Sequence, residues 1–392
     1  MKRIVFITAC LAPGKDGLGD YSRVLAEACS KQGHAVGLVA LHDPFCEEEQ
    51  TESLVGLSCL RLPTAASWAQ RVDRARSWVS EFGAEETFFQ FVIYGYHPKG
   101  LPFQAMPHLM KLLKGLPGLS IMYHEPWIGR AKNEAFHHRV IGSLQRGMIR
   151  QMHRQALPYH AFTSNPAFQG LLQHHGMPTE VLPLPSNIPF RPEQAHLFPA
   201  WIQSQGVSLS SDTLSLGHFG RIPHQWQWEN LLEHLPSLCL RTNKKKAAFI
   251  FAGRSDRESS RQLVREFQKK APGIQVLHLG PQSPEMISSF LQYIDLGIAT
   301  TSPQILGKSG AFAAYREHGL PVILAGEAEN FRLPLPQHAV TDYPRCFSMD
   351  AIPGQLSSWI AYPLPQDTVQ TVAQQFLQAY PPKESVYESS RH

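Results

Sequence analysis

Long apolar runs are missing from this chain of 392 residues, and none approaches the roughly 20 residues needed to span a bilayer. Its six cysteines, at positions 10, 29, 46, 59, 239 and 346, show no paired spacing and no Cys-x-x-Cys. Neither a disulfide framework nor a thiol-redox motif is indicated, and several of these cysteines lie in apolar surroundings as small hydrophobes. An excess of one charge is lacking too: the net charge is +4, which gives no footprint for nucleic acid but is compatible with small anionic ligands. The run Lys244-Lys245-Lys246 reads as a solvated connection. Nineteen histidines, including His137-His138 and His174-His175, show no ligand spacing, so no metal is expected. Met1–Cys10 opens like a leader peptide, but its apolar run gives way at once to Pro13-Gly14-Lys15-Asp16-Gly17. A first strand fits better, and the cytoplasm is the expected location.

What is present is apolar residue in quantity, 43% of the chain, over a length that exceeds one hydrophobic core. Two domains are expected. Strand and helix patterns alternate, which implies a mostly parallel sheet flanked by helices. Ile4–Ala9 predicts a buried strand, and Gly17-Leu18-Gly19-Asp20 a glycine loop closing on the helix Tyr21–Gln32 with Asp20 as its N-cap. Strands are expected at Ala35–Leu41, Thr87–Ile93, Leu119–Tyr123, Ala161–Thr163 and Glu180–Leu184. The proline-rich segment Leu182–Pro192 reads as a linker. The pattern then restarts, with strands at Leu214–Phe219, Ala247–Ala252, Ile274–Leu279, Leu296–Thr300 and Leu320–Leu324. Helices are expected near Trp228–Leu238 and at Glu258–Lys270, Pro284–Tyr293, Gly310–His318 and Asp367–Tyr380.

The stretch from Gly307 to Ile323 carries the strongest functional signal. It predicts a tight glycine-containing loop opening onto a short helix, where unsatisfied N–H groups and the helix dipole both favour an anion. Lys308, Ser309 and Gly310 add a cation, a hydroxyl and a close backbone approach. Gly17, Gly19 and Asp20 form a second helix start of the same kind. Arg221, after the first strand of the second half, has the planar fork suited to phosphate. Arg254 ends another strand.

These residues, in this order, resemble the GT-B-fold glycosyltransferases, in particular the large retaining group 1, or family 4, type. The resemblance covers nearly the whole chain. It rests on Asp16-Gly17-Leu18-Gly19-Asp20-Tyr21-Ser22, Gly33-His34-Ala35-Val36, Tyr123-His124-Glu125-Pro126 and Thr163-Ser164-Asn165 in the first half. In the second it rests on Phe219-Gly220-Arg221-Ile222, Phe251-Ala252-Gly253-Arg254, Leu279-Gly280 and Gly319-Leu320-Pro321-Val322.

The resemblance implies an α/β fold of two Rossmann-like, doubly wound domains facing across a cleft. Residues 1–185 would form the acceptor side and 187–362 the donor side, with helix 367–380 rejoining the first domain and 381–392 a loose tail. It implies a sugar nucleotide of UDP or GDP type as co-substrate, no other cofactor, and transfer with retention. The acceptor would be a glycan, a lipid-linked sugar (which would bring peripheral membrane contact) or a small molecule. By the same likeness Arg221 meets the diphosphate, with Lys308 supplying a second charge. His124 and Glu125 are the candidate catalytic pair against the transferred sugar, and His97 is a candidate acceptor contact.

The sequence departs from that family at three positions. Two glutamates eight residues apart would fall at Leu306 and Ala314, and a lysine at Trp226. Their absence motivates a second reading, a non-catalytic relative that binds a sugar nucleotide or partners an active transferase. A third, a sugar-nucleotide epimerase, finds no evident pair of catalytic carboxylates.

Overall fold

A computed structural model describes residues 1–54, 56–221, 226, 228–253, 257–335 and 343–379, with side chains left out at 257–261 and 263–264. The expected tail 381–392 and Arg254 lie outside the described residues. The chain divides into two compact units. The first is Met1–Pro185 with the described residues of Asn330–Val340 and Val369–His392, and the second is the described part of Ser186–Glu329 and Thr341–Thr368.

In the first unit the order is β1 (Arg3–Thr8), α1 (Gly17–Lys31), β2 (Ala35–Asp43), β3 (Gln50–Leu54), β4 (Leu57–Pro63), α2 (Trp68–Phe82) and β5 (Glu86–Val92). There follow α3 (Ala105–Leu113), β6 (Leu119–Glu125), α4 (Phe136–Ala156), β7 (His160–Thr163), α5 (Pro166–His174) and β8 (Glu180–Val181). The sheet runs β3-β4-β2-β1-β5-β6-β7-β8, parallel except for the β3–β4 edge pair. That hairpin was not visible in the alternation of strands and helices. The strand expected over Glu180–Leu184 ends at Val181, because Pro183 and Pro185 have no N–H to give a ladder.

The second unit contains α6 (Leu197–Ser204), β9 (Thr213–Phe219), α7 (Glu229–Thr242), β10 (Lys246–Ala252), α8 (Arg257–Lys270) and β11 (Gln275–Gly280). It continues with α9 (Pro284–Tyr293), β12 (Leu296–Ala299), α10 (Gly310–Glu317), β13 (Val322–Leu324), β14 (Cys346–Ser348) and α11 (Leu356–Ala361). Its sheet is parallel, in the order β11-β10-β9-β12-β13-β14. Side chains alternate across each strand, and both faces are covered. Along β10, Phe249 and Phe251 enter the layer with Phe267 and Leu231, while Ile250 and Ala252 enter the layer with Phe290 and Tyr315.

A last helix, α12 (Thr368–Gln378), returns the chain to the first unit. Val372, Ala373 and Phe376 fall at helical spacing and are buried with Phe6 and Phe88. The Phe376 ring stacks on Phe88 with centroids 4.4 Å apart. Burial of such a ring contributes about 1.5–3 kcal/mol.

Candidate functional site

In a doubly wound sheet, ligands sit beyond the carboxyl ends of the strands where the order reverses. In the second unit that point lies between β9 and β12. The turn after β9 carries Gly220 and Arg221, and the segment after β12 carries Lys308, Ser309 and Gly310. Topology therefore brings the segments that carry Arg221 and Lys308 to the same switch point.

The backbone turn after β9 also packs against the start of α10. Gly220 has φ 112°, and a Cβ there would stand 3.8 Å from Cβ of Ala311 in the first turn of α10. A Cβ on Gly253, after β10, would lie 2.9 Å from Gly220 N, so backbone meets backbone at this edge. Arg221 is exposed. Ser309 is the N-cap of α10, its hydroxyl accepting from the Phe312 amide at 3.2 Å. The amides of Gly310 and Ala311 precede any intrahelical acceptor, as helix geometry requires. The loop expected before this helix is instead a 3₁₀ segment, Pro303–Lys308, that buries Ile305 and Leu306.

Tyr315 holds the arrangement from below. Its hydroxyl accepts from the Phe219 amide at 2.8 Å and donates to the Ile298 carbonyl at 3.1 Å, tying α10 to β9 and β12. Nothing in the local sequence pattern assigns Tyr315 this part. Leu306 and Ala314, where the resemblance places carboxylates, are both in the core of this unit. Trp226, in the place of the expected lysine, is buried and stacked on His218 with centroids 5.9 Å apart. Burial lowers His218 to about 4, and its Nε2 lies 3.3 Å from Thr300 Oγ1. Apolar and neutral groups have replaced the three charges.

The first unit requires a correction. The glycines of Gly17-Leu18-Gly19-Asp20 are not a loop before the helix; α1 already begins at Gly17, and the N-cap is Asp16, not Asp20. The Asp16 carboxylate accepts from the amides of Leu18 (3.4 Å) and Gly19 (3.2 Å). The chain's own carboxylate thus already takes up the Leu18 and Gly19 amides at this helix start. Asp20 pairs with Arg23 and accepts from the Gly14 amide at 3.0 Å. Gly19 is glycine for another reason: a Cβ there would collide with the Cys10 carbonyl.

His124 and Glu125 end β6. Burial lowers His124 to about 3, so its imidazole is neutral. Nε2 lies 2.8 Å from Gln90 Oε1, an acceptor, which puts the proton on Nε2 and leaves Nδ1 with a lone pair. The ring meets Tyr21 edge-on at 4.9 Å. His124 can therefore orient a hydroxyl but is no general acid near neutrality.

His97 follows β5. Its Nδ1 accepts from the amides of Lys99 (3.2 Å) and Leu101 (3.3 Å). It lines a cavity of about 320 Å³ with Trp68, Tyr96, Leu101, Pro102 and Phe103. The volume suits a small ligand. Trp68 is braced from behind: the Arg71 guanidinium lies 3.8 Å over its ring and His42 stacks at 5.2 Å. The hydroxyl of buried Tyr96 has no partner among the described residues. Sequence reading found His97 but not Trp68, which is 28 positions or more from its pocket partners; only a tryptophan directly after a Ser67 cap was there to notice.

No protein-family model and no curated protein sequence matches this chain. Solved structures do. Sucrose-phosphate synthase from Thermosynechococcus elongatus superposes with a TM-score of 0.56 over 97% of this chain and 94% of that one, at 12% identity. This chain has the GT-B fold. Anabaena HepE in complex with UDP and glucose gives a TM-score of 0.54 over 96% of this chain and 95% of that one, at 14% identity. UDP-GlcNAc 2-epimerase from Methanocaldococcus jannaschii gives 0.50 over 96% and 99%, at 10% identity. Likeness at these identities fixes the GT-B architecture and leaves the chemistry to the residues. Among the described residues no three His, Cys, Asp or Glu side chains gather around a metal-sized space, and no helix is long and apolar enough to cross a membrane.

Proposed function

We propose that this GT-B protein is a glycosyltransferase that takes its sugar from a nucleoside-diphosphate sugar and transfers it with retention of configuration. One observation carries the reading. Gly220-Arg221 and the start of α10 converge at the switch point of the second unit, on a fold whose neighbour HepE is seen with UDP and glucose. In this proposal Arg221 and Lys308 hold the diphosphate and stabilise its charge as the sugar departs, with Ser309 and the Gly310 amide completing the cradle. His124, neutral, orients a sugar hydroxyl, and Glu125 is the candidate proton acceptor beside it. The pocket of His97, Trp68 and Tyr96 takes the acceptor, its aromatic walls suiting the apolar face of a sugar ring.

Incubation with UDP-, GDP- and ADP-sugars, scored for transfer and for donor hydrolysis, tests this. Turnover of one donor, lost in Arg221→Ala and Lys308→Ala, is the expected result; no turnover of any donor overturns it. The burial of Leu306 and Ala314 where carboxylates are expected favours a second reading, a GT-B protein that binds a sugar nucleotide without turning it over. Calorimetric titration with UDP and GDP separates the two, since tight binding without hydrolysis or transfer supports the binder.

A further inference from the structure

The net charge of +4 conceals a marked asymmetry. Between Thr87 and Thr179 the only acidic residues are Glu125 and Glu134, against nine lysines and arginines. Glu134 is committed to its own loop, accepting from the amides of Gly129 (2.8 Å) and Ala131 (2.9 Å). The centre of this region is α4, 21 residues with four arginines, three histidines and no acid.

One side of α4 is core: Gln145, Met148, Ile149 and Met152 are buried, and Gly142 lies against the Ile128 carbonyl. The other side faces solvent, yet it carries Phe136 (74% exposed), Val140 (47%) and Leu144 (45%), four residues apart and so in one row. Arg139, Arg150 and Arg154 are exposed beside this row, with Arg146 half-buried. Leu157 and Tyr159 continue the exposed apolar surface past the end of the helix. At the neighbouring end of α5, burial and the nearby Arg146, His174 and Arg150 lower His175 to about 4.

A row of large apolar side chains exposed to water is a cost unless something covers it. An aromatic and aliphatic row flanked by arginines, on a helix lying along a surface, is the pattern that settles into the headgroup region of a bilayer. We propose that the outer face of α4 docks this protein on an anionic membrane surface, the row from Phe136 to Leu144 entering the interface and the arginines pairing with lipid phosphates. Charge selects this occupant. A second copy would bring arginines against arginines, and a nucleic-acid backbone would leave the apolar row in water. The inference stands apart from the glycosyl-transfer reading, since it needs no turnover.

The test is co-sedimentation of the full chain with vesicles of phosphatidylcholine alone or with added phosphatidylglycerol, at low and high salt. Binding is expected only with phosphatidylglycerol, and weaker in high salt. The triple variant Phe136→Ser, Val140→Ser, Leu144→Ser should lose about tenfold or more in partitioning. So should Arg146→Gln, Arg150→Gln, Arg154→Gln, and both should keep the melting temperature of the parent. No sedimentation with anionic vesicles overturns the proposal, as does an undiminished signal in either variant. Binding of duplex DNA that exceeds vesicle binding and survives the serine changes also overturns it, in favour of a polyanion site.

Discussion

Gly19 of α1 and the carbonyl of Cys10 stand so close that a side chain cannot fit between them, whereas Gly17, two residues earlier, has nothing within 4 Å of where its Cβ would be. The two glycines look alike in sequence and play different parts. Gly19→Ala should destabilise the protein by about 1–3 kcal/mol through forced movement of α1, and Gly17→Ala should be neutral or slightly stabilising. Urea denaturation of the two variants checks this. Equal losses in both would show that the helix start is constrained by something other than this contact.

Glu317 closes α10 inside the core, its Oε2 accepting from the Thr368 amide at 2.9 Å and the Thr368 hydroxyl at 2.5 Å. The same hydroxyl accepts from the Ser186 amide at 3.0 Å. Burial raises the Glu317 carboxyl above its usual value, and the hydrogen bonds from Thr368 offset this only in part. A raised acid binds its proton more tightly when folded, so stability should fall as pH rises from the usual carboxyl range through the raised value. Glu317→Gln should abolish that part of the slope while keeping an acceptor. Glu317→Ala strands the Thr368 donors and should cost about 1–3 kcal/mol. Melting curves across pH for the parent and both variants provide the measurement.

Asp43 shows the opposite sign. It is buried at the end of β2, where it accepts from Arg61 Nε at 2.8 Å and from the amides of Leu11 (3.1 Å) and Phe45 (3.0 Å). Burial alone would raise its carboxyl, but the hydrogen bonds from Arg61 and the two amides outweigh it and hold the group below its usual value. Its contribution is present above the ordinary carboxyl range and is lost as pH falls through the depressed value. Asp43→Asn should cost about 3 kcal/mol near neutrality, and the gap from the parent should close in acid. A gap that is constant with pH would contradict the assignment.

Tyr315→Phe should keep the ring, whose room in the sheet is provided by Gly297, and lose the tie to the Phe219 amide. The expected cost is about 1–3 kcal/mol of stability. If the α10 start holds a diphosphate, nucleotide affinity should fall as well, because the turn bearing Arg221 is no longer fixed to the helix. Calorimetry with UDP and GDP on parent and variant reads both effects, and unchanged affinity would detach Tyr315 from the site.

Trp68→Ala should raise the KM for a sugar acceptor about tenfold and leave donor hydrolysis in the absence of acceptor unchanged, since the pocket lies wholly in the first unit. An effect on donor hydrolysis alone would exclude an acceptor role.

The sequence by itself determined what is local and periodic. The alternation of apolar strands with helical spacing placed β1, β2, β5, β6, β9, β10, β12 and α9 within a few residues of where they lie and pointed to parallel sheets flanked by helices, while the GT-B architecture rested on the family resemblance of the motifs. It also indicated the short helix after Lys308, because the glycine-containing loop before it and the glycine stop after it are neighbours along the chain. Contacts between segments distant in sequence were decided only by the tertiary structure. The sequence pattern points to Asp20 as the cap, and only backbone geometry shows Asp16 holding the Leu18 and Gly19 amides. Trp68 joins His97, and Tyr315 reaches Phe219, through folds of the chain that no local pattern encodes. The outward face of α4 was hidden too: the sequence pattern placed no helix there, and only packing makes Gln145, Met148, Ile149 and Met152 the buried side and Phe136, Val140 and Leu144 the exposed one. Periodicity shows that a helix has two faces, and packing alone decides which of them meets water.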